Sequence, residues 1–190
     1  MNKHEIMLAG SGGQGMILAS IILAQAATLA NKNVAQSQSY GPEARGGMCK
    51  AELIISDSHI SFPRVINPTF ILALTQPSLD NYTKGIPADC IVMADESLVI
   101  PKWLSEQQVI SIPVLDTARI KIGKLFTANI VAVGAINKVL NIADEDSLRN
   151  AVMMHIPKKT EEINMKALKA GELLLDKYQS HSLADSLLIA

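Results

Sequence analysis

Cysteine and aromatic side chains are scarce in this sequence, and no stretch of it is both long and uniformly apolar. Its two cysteines, Cys49 and Cys90, stand alone, and His4, His59, His155 and His181 are scattered singly. That pattern excludes the paired ligands of a structural metal site and the cysteine run of an iron–sulfur protein. Each thiol therefore reads as buried and reduced. An excess of positive charge is missing too: a formal net charge of −1 leaves no basic footprint for nucleic acid. The most apolar stretch, Met16 to Ala30, is interrupted by Gln25 and Thr28. It falls short of the roughly 20 residues that a membrane span needs, so it reads as a buried helix. Few cysteines and no signal-peptide pattern make the cytoplasm the expected location.

What is present is aliphatic. Hydrophobic residues make up 48% of the chain and aromatic ones 4%, enough for a large aliphatic core and too much for disorder. At 190 residues a single domain is expected over 1–178. A tail over 179–190 ends in "LADSLLIA", apolar enough to dock on a partner or on the body. The positive mean hydropathy without a membrane segment points to a surface that a partner covers.

Glu5–Ala9 reads as a short buried strand, Gly13–Ala30 as a helix covered on most sides, and Val34–Ser39 as a second strand. Such a strand–loop–helix–strand unit implies parallel strands and a layered fold. Lys50–Ser56 and the following "HISFP" look like a hairpin, which makes the sheet mixed. Thr69–Leu74, Cys90–Ala94 and Val109–Ile112 read as further strands. Gln76–Tyr82 reads as a short helix with Pro77 in its first turn. Thr127–Leu140, Glu145–Met153 and Lys158–Tyr178 read as helices. The expected fold is a three-layer α/β/α arrangement with a mainly parallel, mixed central sheet.

Two loops carry the chemistry. Gly10, Ser11, Gly12, Gly13, Gln14 and Gly15 spell G-x-G-x-x-G between the first strand and the first helix. Glycines there allow close backbone approach, and the free N–H groups of the helix start favour an anion. A dinucleotide site also needs an acidic residue about 20 positions on to hold the ribose. Here the second strand ends "VAQSQSY", without one. A P-loop is excluded as well, because no Gly-Lys-Ser/Thr follows. The loop thus contacts a phosphate-bearing or polar ligand, contacts another subunit, or is a tight turn whose glycines serve packing. The second loop, Tyr40–Gly47, reads "YGPEARGG". Pro42 fixes one torsion, while Gly41, Gly46 and Gly47 permit close approach, so Glu43 and Arg45 are held at a defined place. Arg45 can bind a carboxylate or phosphate bidentately with Glu43 orienting it, or the two form a self-contained surface pair.

"GSGGQG" followed by "SYGPEARGG" resembles the gamma subunit of 2-oxoacid:ferredoxin oxidoreductases. The resemblance continues through "AELIISDSHISFPRV", "ILALTQPSLDNY", "TANIVAVGAI" and "NMKALKAGELL", and so covers nearly the whole chain in order. The wording of the second loop looks most like the 2-oxoglutarate branch. The resemblance implies a multi-subunit enzyme that decarboxylates a 2-oxoacid on thiamine diphosphate. Electrons pass through iron–sulfur clusters to ferredoxin or a similar acceptor, and the acyl group goes to coenzyme A. It further implies that thiamine diphosphate, its Mg and the clusters lie on alpha, beta and delta-type partner subunits, with no catalytic residue in this chain. This chain would help form the coenzyme A side of the active site through the two loops. Some single-chain pyruvate enzymes carry a lysine six positions after the last loop glycine; Ile21 stands there, leaving Gln14 as a candidate to hydrogen-bond the pantetheine or a neighbouring subunit. In isolation the chain is expected to self-associate through surface meant for partners. The competing readings are a free-standing nucleotide-binding oxidoreductase and a purely structural adaptor.

Overall fold

The computed structural model describes residues 3–40 and 47–188, with side chains at 3–38 and 47–176. Its elements are β1 (Lys3–Ser11), α1 (Met16–Leu29), β2 (Asn33–Tyr40), β3 (Met48–Ser56), β4 (Phe70–Ala73), α2 (Gln76–Tyr82) and β5 (Ile91–Asp95). They continue with β6 (Val109–Ile112), the single turn α3 (Val114–Asp116), α4 (Ala128–Leu140), α5 (Glu145–His155) and α6 (Glu161–Leu188). A π-helical turn over Thr117–Lys121 extends α3, and a 3-10 turn over Leu125–Thr127 leads into α4.

The six strands lie in the order β2-β3-β1-β4-β5-β6. β1, β4, β5 and β6 pair in parallel, whereas β3 is antiparallel to both β1 and β2. Alternation along the strands splits the sheet into two apolar faces. Ile6, Leu8, Leu53, Phe70, Leu72 and Met93 face the core shared with α1, α4, α5 and α6. Met7, Ile71, Ala73 and Val92 face the opposite side, under α2 and the segments that flank it. The expected mixed, layered α/β fold is the observed one.

α1 is short of charge because nearly every side of it is covered: it packs against β2, β3, α4 and α5. α4 and α6 cross very closely. A Cβ on Gly134 would run into the Leu168 carbonyl oxygen, and one on Gly171 into the Val131 carbonyl oxygen. Only glycine allows the two backbones to meet this way.

Two expectations are corrected. "HISFP" forms no strand and no hairpin with β3, because β3 is already paired on both edges, by β1 and β2. The segment after β3 instead crosses the sheet face away from α1. There the N–H groups of Ile66 and Asn67 donate to the Glu5 carboxylate at 2.9 and 3.2 Å. Burial alone would raise the Glu5 pKa; hydrogen bonds from Lys3, Ile66 and Asn67 outweigh it and hold the carboxyl below its ordinary range. Glu52 on β3 behaves alike, with Lys50, Ser37 and the Val65 N–H overcoming its burial. The second correction concerns β2, which points the same way as β1 but is separated from it by β3. The opening unit is therefore not a simple parallel pair.

Candidate functional site

β1 delivers the chain to Ser11 at the carboxyl end of the sheet, and α1 begins five positions later, at Met16. Gly15 caps α1 in the left-handed region at φ 74°, and no side chain caps that helix start. The N–H groups of its first turn therefore depend on partners from outside the helix. Gly15 has a second constraint, because a Cβ there would lie 2.6 Å from Nδ2 of the buried Asn129. The loop is thus seated on the first turn of α4.

Gln14 folds back over the turn. Its Oε1 accepts the Ser11 N–H at 2.7 Å, and its own N–H donates to the Ser11 carbonyl at 3.2 Å. A Cβ on Gly10 would sit 2.5 Å from that Oε1, so the first glycine makes room for the glutamine. The carboxamide oxygen of Gln14 is therefore spent on the loop itself. The Gly12 N–H is also engaged, donating to the Gly47 carbonyl at 2.9 Å. Beneath the loop, Ser78 of α2 donates to the Gly10 carbonyl at 3.2 Å.

Ser11, Gly12, Gly13 and Gln14 form one wall of a cleft of about 470 Å³, a size ordinary for small-molecule sites. The facing wall comes from Leu115, Arg119, Leu125, Phe126 and Ala128. Phe126 and Leu125 expose 61% and 49% of their surface, so the rim is apolar and open. Arg119 projects from the π-helical turn, with Asp116 3.8 Å away and both side chains more than half exposed. The anchor of this wall is Asp95, buried at the end of β5, which accepts the Leu115 N–H at 2.8 Å and both donors of Ser97. The Ile122 N–H reaches back five residues to the Thr117 carbonyl at 3.0 Å, which sets the turn that presents Arg119.

Sequence reasoning missed this second wall. Its signal is modest: Arg119, Lys121 and Lys124 lie within six residues of an otherwise apolar segment just before a helix. Of the second loop, Tyr40 ends β2 with its side chain outside the description, Gly47 bonds to Gly12, and Gly41, Glu43, Arg45 and Gly46 lie outside the described residues. The strand register sets Tyr40 opposite Cys49, Cys49 opposite Gly10 and Met48 opposite Ser11. Both ends of the second loop are thereby level with the first.

The ribose-binding geometry of a dinucleotide fold is missing. With β3 interposed, the end of β2 lies two strand spacings from β1, roughly 10 Å, and carries no acid. Cys49 and Cys90 are both buried. Burial pushes both thiols up, Cys90 to about 11 with Asp89 adding to it. Neither has the environment of a reactive thiolate. Among the described residues no three His, Cys, Asp or Glu side chains converge as metal ligands, and no helix is long and apolar enough to cross a membrane.

The sequence matches the family described as pyruvate ferredoxin/flavodoxin oxidoreductase over residues 5–172. It is 43% identical over 172 residues to a 2-oxoglutarate synthase subunit KorC from Methanocaldococcus jannaschii, covering 89% of this chain and 92% of that one. The fold superposes with a TM-score of 0.81 on the gamma subunit of a keto/oxoacid ferredoxin oxidoreductase from Geobacter sulfurreducens, at 34% identity. That match covers 92% of this chain and 97% of the other. A 2-oxoglutarate:ferredoxin oxidoreductase from Magnetococcus marinus shares the fold at a TM-score of 0.83 and 21% identity, over 93% of this chain and 32% of that one. Matched along almost its full length in both sequence and fold, the chain belongs to the pyruvate ferredoxin/flavodoxin oxidoreductase family.

Proposed function

We propose that this chain is the gamma subunit of a cytoplasmic 2-oxoglutarate:ferredoxin oxidoreductase, and that its cleft takes part of coenzyme A. The end-to-end similarity to a 2-oxoglutarate synthase subunit carries the first half of this reading. The cleft supports the second. Coenzyme A joins a flexible, largely apolar pantetheine arm to anionic phosphates. Leu115, Leu125 and Phe126 suit the arm, while Arg119 and the uncapped start of α1 suit an anion. Magnetococcus marinus supplies a protein of the same fold whose structure holds 2-oxoglutarate, coenzyme A and succinyl-CoA.

In this reading alpha, beta and delta-type partners hold thiamine diphosphate, its Mg and the iron–sulfur clusters. Among the described residues of this chain no three His, Cys, Asp or Glu side chains come together as ligands for Mg or a cluster. The contribution of this chain is to bind and orient: a pre-shaped wall receives the thiol carrier and excludes water from one side of it. Ferredoxin or a similar acceptor takes the electrons elsewhere in the assembly.

A structural adaptor is the second reading, favoured by one observation: Gly10 and Gly15 abut Gln14 and Asn129 of this same chain, so packing alone accounts for two of the four loop glycines. Anaerobic purification of the tagged chain from its native cells separates the two. Co-purifying subunits, coenzyme A-dependent dye reduction with 2-oxoglutarate, and a KM for coenzyme A that moves with Arg119 support the proposal. An active complex whose coenzyme A kinetics ignore this cleft supports the adaptor. A chain that purifies alone and inactive overturns both.

A further inference from the structure

Edge strands are usually protected from pairing by shortness, charge, proline or a bulge. One edge of this sheet, β6, spans four residues. The other, β2, spans eight and reads NVAQSQSY, with no charged residue and no proline. Its register with β3 runs unbroken from Asn33↔Ser56 to Tyr40↔Cys49, so no bulge twists it away. β3 and α1 are its principal neighbours, and Asn33, Gln36 and Gln38 are exposed. No described strand pairs with its outer backbone.

We propose that this edge is a self-association surface, on which the β2 strands of two copies of the chain pair antiparallel about a two-fold axis. In an antiparallel isologous contact, residue i on one strand faces residue j on the other and j faces i, so like charges at two paired positions would meet twice over. β2 carries none. Gln36 Nε2 donates to Ser20 Oγ and Ser37 Oγ to Glu52 Oε2 within the chain, while the Gln36 carboxamide oxygen and both ends of the Gln38 amide can hydrogen-bond to a second copy. The geometry is also compatible with the cleft. Because β2 runs in the direction of β1, the two-fold axis sends the two glycine loops to opposite ends of the joined sheet, leaving both clefts open. This inference does not rest on the coenzyme A reading.

The full chain is tested by sedimentation, with amide hydrogen exchange read in parallel. Wild type is expected to sediment at twice the 20.4 kDa chain mass, and the amides of Val34–Ser39 to lose protection on dilution. Gln36→Lys/Gln38→Lys and Gln36→Glu/Gln38→Glu are each expected to be monomeric, with the far-UV dichroism of wild type. Mixing the two variants is expected to restore the dimer, because opposite charges then face each other. A monomeric wild type overturns the proposal, as does a dimer that survives either double substitution. Should a variant fail to fold, wild-type exchange decides alone: β2 amides exchanging equally at all concentrations also overturn it.

Discussion

The backbone N–H of Gly12 donates to the carbonyl of Gly47 at 2.9 Å, which ties the turn after β1 to the far end of the β2–β3 hairpin loop. Two loops that are some 30 residues apart in the chain are therefore one structural unit. The bond also takes up an N–H that the glycine pattern alone would offer to a ligand. On the proposed reading, an anion at this loop would meet the first turn of α1 and side chains from the facing wall.

Gly15 is required twice over, for its φ of 74° and for the space that Asn129 fills. Gly15→Ala is expected to destabilise the chain by about 1–3 kcal/mol. Asn129→Ala in the same background should recover the steric part and leave the left-handed cost. Urea unfolding of the two single variants and the double variant reads this directly. Additive losses would show that the two residues are not coupled.

The close crossing of α4 and α6 gives a second stability prediction. Gly134→Ala forces a methyl group against the Leu168 carbonyl, where backbone rather than a flexible side chain must yield. A loss of about 1–3 kcal/mol is expected, typical of overpacking, although alanine is the better helix former. A thermal scan showing an unchanged or raised Tm would mean that the helices separate freely.

Much of this architecture is legible in the chain because apolar runs are punctuated by glycine, proline and polar turns. Gln76–Tyr82 and Val109–Ile112 fall where their patterns put them. Strand order is less legible: Leu53, Ile54 and Ile55 read the same whichever neighbours β3 has, and only the folded sheet inserts it between β1 and β2. The cleft divides likewise. Its glycine wall announces itself, since closely spaced glycines have a mechanical reason. The Arg119 wall does not, because a π-helical turn matches neither the 3.6-residue nor the two-residue period.

Acid sensitivity follows from Glu5 and Glu52. Both carboxyls have folded-state pKa values below their ordinary 4.5, because hydrogen bonds to the ionised form outweigh burial. A lowered pKa gives stability that is fully present above the unfolded value and is lost as pH falls through the folded one. Stability is therefore expected to hold from neutral pH down to about pH 5 and to drop below it. Glu5→Gln should lower stability at pH 7 and flatten that acid decline. Chemical unfolding at pH 7, 5 and 3 tests it; a variant with the wild-type slope would show that the Ile66 and Asn67 contacts carry no charge dependence.

Arg119 offers the sharpest test of the cleft. It lines the pocket opposite Gly13, its partner Asp116 is exposed and 3.8 Å away, and that surface pair contributes little on its own. A guanidinium hydrogen-bonded to a phosphate is worth about 1.5–3 kcal/mol. In the assembled enzyme, Arg119→Ala is accordingly expected to raise the KM for coenzyme A by roughly 10- to 100-fold, with kcat at saturation and the KM for 2-oxoglutarate unchanged. Lys121→Ala, exposed but outside the cleft, controls for net charge and should leave all three constants alone. Arg119→Lys keeps the charge while losing the fork, so an intermediate KM is expected. A KM for coenzyme A that is the same in all four proteins would remove the cleft from coenzyme A binding and leave the loops as subunit contacts.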